Sequence, residues 1–231
     1  FMGAINQMTQ SIAGSNLNHM SQMKSFGDVI VTTGEVMLAA MATATGVANS
    51  WAAQATVKVG FDAGAVFQFL SGIITLMLLA LFAFGVTLST YVPMIPFITW
   101  TTSIVNWFVL VLESVIAAPL FAVAHIHPDG DDAVGRAGQG YMMILSLVMR
   151  PALMLFGLLG GMLLTQPIVG YINAAFMSVV SGIQADSMTG IVSFIAYVAI
   201  YVVMMTTVVH IVFSLIHWVP DNILRLSLIH I

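Results

Sequence analysis

Residues 98–122 read ITWTTSIVNWFVLVLESVIAAPLFA, a run of 25 residues that contains a single charge, Glu113. About 20 mostly apolar residues in a helix are enough to cross the roughly 30 Å of hydrocarbon in a bilayer. The whole chain has the same character, since 60% of its 231 residues are hydrophobic and only 6% are charged. A soluble domain usually has about a quarter of its residues charged. We therefore expect an all-α, multi-pass membrane protein.

Four segments of the sequence are long and apolar enough to cross a bilayer. They cover about residues 64–88, 98–122, 141–164 and 191–218. We expect them to form a four-helix transmembrane domain over residues 64–218, preceded by a helical or interfacial segment over residues 1–62. Within that segment, the Ala-rich stretch 34–57 is expected to form a closely packed helix of marginal hydrophobicity, and whether it crosses the membrane stays open. Residues 219–231 are expected to form a short cytoplasmic tail.

The connections between these spans differ in character. Residues 89–97 contain two prolines and are expected to form a tight turn between antiparallel spans. Residues 123–140 are the most polar stretch of the chain, and residues 165–190 are expected to include a short interfacial helix at 172–183.

Basic residues indicate the orientation of the spans. Apart from Arg150, those that flank the spans are Lys58, Arg136 and Arg225, and with four spans all three lie on one side. The positive-inside rule then places both ends of the four-span unit in the cytoplasm. We also expect the chain to be part of a longer protein. Residues 226–231 resemble the translation of a sequencing adapter, so we assign them no role.

Two charges are predicted to lie inside the spans. Glu113 lies nine residues before Ala122, and Arg150 lies nine residues after Tyr141. If the second and third spans are antiparallel neighbours, both charges lie about 13 Å inside the same boundary. An arginine at mid-membrane costs about 2.5 to 3.5 kcal/mol on insertion scales. We therefore expect a Glu113–Arg150 ion pair, which either clamps two helices together or takes part in a conduit or in proton coupling.

Two prolines inside the spans, Pro119 and Pro151, are expected to kink their helices. Each removes one helix hydrogen bond, which leaves the carbonyls of Val115 and Leu147 without their usual donor. The guanidinium group of Arg150 has donors to spare for such a carbonyl.

Polar residues recur on one face of the second span, and we expect that face to point at other helices or at water. This polar stripe consists of Thr99, Thr102, Ser103, Asn106 and Glu113. A looser set in the fourth span has the composition of either a proton relay or a hydrogen-bonded helix interface. It consists of Ser193, Tyr197, Thr207, His210, Ser214 and His217.

The loop HIHPDGDD at residues 125–132 combines imidazoles with carboxylates, which are ligands for zinc or calcium. Its spacing matches no established ligand pattern, so we favour a turn formed by His127, Pro128, Asp129 and Gly130. We expect no metal and no cofactor. The chain has no cysteine, which excludes disulfides and thiolate metal sites, and no basic run suited to nucleic acid. It also lacks the HExxH, GxSxG and phosphate-loop motifs, so we expect no enzyme.

Several short motifs follow one another along residues 92–161. They are VPMIPF at 92–97, Trp107 with Glu113, AAPL at 117–120, HPDG at 127–130 with Gly135, and LVMRP at 147–151. This ordered series resembles the DotA/TraY family, whose members are inner-membrane components of type IVB secretion systems and related conjugative transfer systems. The motif WVPD at 218–221 resembles the family more loosely.

The resemblance implies a non-enzymatic, multi-pass subunit of the bacterial inner membrane that forms a homo-oligomeric channel or scaffold. Its partners would be the lipid bilayer and other subunits of the apparatus, with protein or DNA cargo touched only indirectly. The matching positions are Glu113, Pro119, Pro128, Gly130, Arg150 and Pro151, and none is catalytic. An ion-coupled transporter that uses Glu113, Arg150 and His210 is the alternative.

Overall fold

The computed structural model describes residues 19–48, 63–126, 137–186 and 191–229, and these residues are almost entirely helical. The helices are α1 (His19–Ala48), α2 (Ala63–Val86), a π-helical turn (Thr87–Tyr91), α3 (Val92–Ile126), α4 (Gly138–Asp186), α5 (Ile191–Phe213) and α6 (Leu215–Ile229). Four helical stretches are long and apolar enough to cross a membrane, namely Met20–Val47, Phe69–Ala124, Gly140–Gly182 and Val192–Arg225. The predicted all-α, multi-pass fold class is confirmed.

The predicted turn at residues 89–97 is wrong, because the chain stays helical there. The Val92 N–H donates to the Thr87 carbonyl, as in a π-helix, and α3 continues directly from this residue. A proline ring normally clashes with the carbonyl four residues earlier, and the wider π-turn leaves room for Pro93. The two spans predicted at 64–88 and 98–122 therefore lie in one helical stretch, Phe69–Ala124.

The connection predicted at residues 165–190 is also helical as far as Asp186, so 172–183 is not a separate helix. Pro167 lies inside α4 without ending it. Val169 and Asn173, which follow it in α4, are both buried, with exposures of 0% and 5%. Burial of the apolar Val169 side chain favours the continued helix, which opposes the loss of the hydrogen bond that the proline removes.

The chain divides into two compact units. The first comprises Phe1–Pro93 and Ile168–Val208, and the second comprises Met94–Pro167 and Val209–Ile231. In the first unit, the N-terminal helix begins earlier than predicted, and its buried side chains lie in its first half. These are Gln22, Met23, Phe26 and Ile30.

The Ala-rich stretch predicted to pack closely is mostly exposed, with Val36 and Val47 each 70% accessible. The part of that stretch beyond Ala48 lies outside the described residues. Close packing occurs instead at Gly27, where an added Cβ would lie 2.5 Å from the Ser89 backbone nitrogen and 2.9 Å from the Gly85 carbonyl oxygen. The backbone of α1 thus touches α2 and the π-turn, an approach that small residues allow in membrane proteins.

A buried polar contact also lies in this unit, between α4 and α5. The Tyr201 hydroxyl donates to Asn173 Oδ1 over 2.8 Å, and the tyrosine is 1% exposed. The rings of Phe26 and Phe176 lie 5.3 and 5.2 Å from the tyrosine ring, centroid to centroid. This tyrosine therefore connects the buried face of α1 with those of α4 and α5.

Replacement of Gly27 by alanine is expected to lower the unfolding temperature of the detergent-solubilised protein by several degrees. The new methyl group meets backbone atoms, which cannot move aside as a side-chain end can, and overpacking of this kind costs about 1 to 3 kcal/mol. Gly46→Ala is the matched control on the same helix, because an added Cβ there has no atom within 4 Å. An equal loss of stability in the two variants would show that the close approach at Gly27 does not hold α1.

Candidate functional site

Three helices of the second unit, α3, α4 and α6, are joined pairwise by polar contacts. The contacts are Trp107 with the Leu147 carbonyl, Arg150 with Asp221, and Ser103 with His217. We call this set the polar triangle. Each of its three sides joins a different pair of helices.

The contact between α3 and α4 depends on a proline. Because Pro151 has no N–H, the carbonyl of Leu147 lacks its normal helix partner. The indole Nε1–H of Trp107 donates to that carbonyl over 3.0 Å. The prolyl break predicted from the sequence is therefore present, but the donor is an indole on the neighbouring helix and not the guanidinium of Arg150.

The contact between α4 and α6 is an ion pair. Arg150 Nη2 donates to Asp221 Oδ1, and the two side chains are 27% and 57% exposed. The predicted Glu113–Arg150 pair is wrong, since Glu113 is exposed and forms no ion pair with any residue that the structure describes. Glu113 lies six residues after Trp107 and hence about 120° around α3 from the side that meets α4. A similar depth in the membrane was not sufficient to predict an ion pair, because the Glu113 and Arg150 side chains point in different directions.

The contact between α3 and α6 joins a serine to a histidine. Ser103 Oγ lies 3.1 Å from both ring nitrogens of His217, and Ser103 is 2% exposed. The serine hydroxyl also donates to the Thr99 carbonyl over 2.9 Å. With its proton used in that bond, the oxygen accepts from the ring N–H of the histidine.

The predicted polar stripe is divided by this packing. Ser103 faces α6, whereas Thr102, Asn106 and Glu113 are exposed. Thr99 is partly buried, and both threonine hydroxyls donate to carbonyls four residues earlier in their own helix. Among the helices that the structure describes, only part of the stripe therefore meets another helix.

In the set predicted for the fourth span, the hydroxyls of Thr207 and Ser214 donate to carbonyls of their own helix. His210 is exposed, and His217 is the member that meets α3. Pro119 and Pro151 lie inside α3 and α4 as predicted.

The turn predicted at His127, Pro128, Asp129 and Gly130 lies outside the described residues. Within the described ranges, no group of three or more His, Asp or Glu side chains is arranged to hold a metal ion. Asp221 is the residue that sequence reasoning missed. The motif WVPD, which directly follows an apolar span, was the feature of the sequence that could have indicated it. Asp221 was instead assigned to the cytoplasmic tail.

The proline and the tryptophan are expected to depend on each other for stability. Trp107→Phe leaves the Leu147 carbonyl without a donor, which costs about 1 to 3 kcal/mol. In a Pro151→Ala background the helix supplies its own N–H, so the same tryptophan change should cost much less. Denaturant unfolding of the four proteins in detergent measures this coupling. Trp100→Phe, on the same helix, should show no such dependence on Pro151, and independent effects of Trp107 and Pro151 would contradict the contact.

Exchange of the two charges of the ion pair should preserve the structure. Arg150→Asp and Asp221→Arg are each expected to reduce the yield of folded protein in membranes, because each places two like charges together. The double variant should recover most of that yield, as measured by size-exclusion chromatography in detergent. Glu113→Gln should leave the yield of folded chain unchanged, because Glu113 has no ion-pair partner among the described residues of its own chain. No recovery in the double variant, or a loss with Glu113→Gln equal to that of Arg150→Asp, would contradict the pairing.

Comparison of the chain with protein-family models, with curated proteins and with solved structures finds no match to any of them.

Proposed function

We propose that this chain is a non-enzymatic subunit of the bacterial inner membrane that belongs to a type IVB secretion or conjugation apparatus, in which it forms part of a channel or scaffold. One observation carries the proposal. The motifs that resemble the DotA/TraY family, widely separated in sequence, supply most of the polar triangle. Trp107, Leu147, Arg150 and Pro151 come from the stronger part of the resemblance, and Asp221 comes from WVPD at 218–221.

The chemistry of these contacts supports a structural role for the resembling residues. These residues form two contacts, Trp107 with the Leu147 carbonyl and Arg150 with Asp221. Each contact satisfies a polar group whose burial among apolar helices without a partner would cost free energy. A translocation subunit needs helices held in a fixed arrangement around a path, and such contacts supply directional constraints that apolar packing lacks. Protein or DNA cargo would be touched only indirectly, through the assembled apparatus.

The transporter alternative receives less support from the contacts. It requires Glu113, Arg150 and His210 to act on one substrate or proton path. Arg150 instead pairs with Asp221, and Glu113 is exposed on α3.

Deletion of the gene in its host should abolish transfer of protein or plasmid DNA to recipient cells, and the native gene should restore it. Arg150→Asp should fail to restore transfer, whereas Arg150→Asp with Asp221→Arg should restore it. Lys24→Gln is the control, because this exposed lysine pairs locally with Asp28, four residues along its own helix. Unchanged transfer of both cargo types after deletion would overturn the proposal, as would a gene neighbourhood that encodes only metabolic enzymes.

A further inference from the structure

Two of the charged side chains of the second unit form no ion pair with any described residue. Four charged side chains of this unit are described, Glu113, Arg150, Asp221 and Arg225. Arg150 and Asp221 pair with each other. Glu113 and Arg225 are both exposed, and neither forms an ion pair with any described residue. Among the described residues, one acid and one base of this unit are therefore left without an ion-pair partner.

These two residues lie on helices that run in the same direction. α3 and α4 are antiparallel, because Trp107 meets Leu147 while Phe121 meets Tyr141. α4 and α6 are antiparallel as well, because Arg150 meets Asp221 while Gly157 lies against Leu215. It follows that α3 and α6 are parallel.

The contact between Ser103 and His217 fixes the register of α3 and α6. Glu113 lies ten residues after Ser103, and Arg225 lies eight residues after His217. At a rise of about 1.5 Å per residue, the two charges lie at levels that differ by about 3 Å. At about 100° per residue, they are rotated by about 80° in opposite senses from the contact. For parallel helices in contact, such rotations point both side chains to the same side of the pair.

Large apolar side chains accompany the two charges on that side. Val109 lies one turn before Glu113 on α3 and is 50% exposed, and Trp218 lies two turns before Arg225 on α6 and is 60% exposed. We call these four residues, Val109, Glu113, Trp218 and Arg225, the α3–α6 face. Tryptophan and arginine are among the residue types most enriched at surfaces that bind protein.

We propose that the α3–α6 face binds the same face of a second copy of this chain, with Glu113 of each copy paired with Arg225 of the other. A twofold axis along the helices brings α3 of one copy opposite α6 of its partner. Because the acid and the base lie at nearly the same level, both ion pairs then form at once. Lipid cannot satisfy the carboxylate of Glu113, and a partner of one charge sign would leave one of the two groups unpaired.

Cross-linking of two differently tagged full-length chains in membranes tests this arrangement. The chain has no cysteine, so one copy can carry Glu113→Cys and the other Arg225→Cys. A short reagent that joins two thiols should then produce the mixed dimer. Val115→Cys is the control for Glu113→Cys, because Val115 is 66% exposed and lies two residues along, about 160° around the helix. Absence of the mixed dimer, or equal cross-linking from Val115→Cys, would overturn the proposal.

Charge reversal gives a second test that depends on reciprocity. Copies with Glu113→Arg place arginines together when they meet one another, and copies with Arg225→Glu place glutamates together. Energy transfer between labelled copies in vesicles should show self-association weakened by about tenfold in each case. When the two variants are mixed, both ion pairs form, so association should return towards the native level. Native self-association in either variant, or no gain on mixing, would overturn the proposal. The inference does not depend on a role in secretion.

Discussion

A backbone carbonyl without its own helix donor is the constraint on which the second unit depends. Pro151 removes the N–H that Leu147 would otherwise receive, and among apolar helices a carbonyl left alone is costly. The Trp107 indole supplies the missing donor from α3. Because the indole N–H must reach that carbonyl, the rotation of α3 about its axis is set relative to α4. The directions of the other polar side chains of α3 follow from this rotation.

That rotation explains both the misassigned ion pair and the unpaired charges. With Trp107 turned towards α4, Ser103 meets His217 on α6, and Glu113 is left on the exposed side of the α3–α6 pair. Arg150 then forms its ion pair with Asp221 on α6. The remaining acid and base lie at similar levels on one face, which is the physical basis of the proposed contact between two copies.

Composition and apolar run length predicted the helical, membrane-spanning class, because those properties depend on residue type alone. The turn predicted at 89–97 shows the limit of the same reasoning, since Pro93 is accommodated beside a π-turn and Pro96 lies inside α3 without ending it. The missing helix hydrogen bond at Pro151 was predictable from that one residue. The side chain that donates to the Leu147 carbonyl in its place was not. The donor to such a carbonyl depends on how each helix is rotated and on which helices are its neighbours. A single sequence contains no direct signal of either.

The separation of the Trp107 indole nitrogen from the Leu147 carbonyl is the most direct test of the polar triangle. Solid-state NMR of protein in bilayers, with nitrogen-15 in the indole and carbon-13 in the leucine carbonyl, measures the dipolar coupling between the two groups. The account predicts the coupling that corresponds to a nitrogen–oxygen distance of 3.0 Å. It also predicts that Trp107→Phe abolishes the coupling and Trp100→Phe does not. Absence of coupling in the native protein would contradict the account.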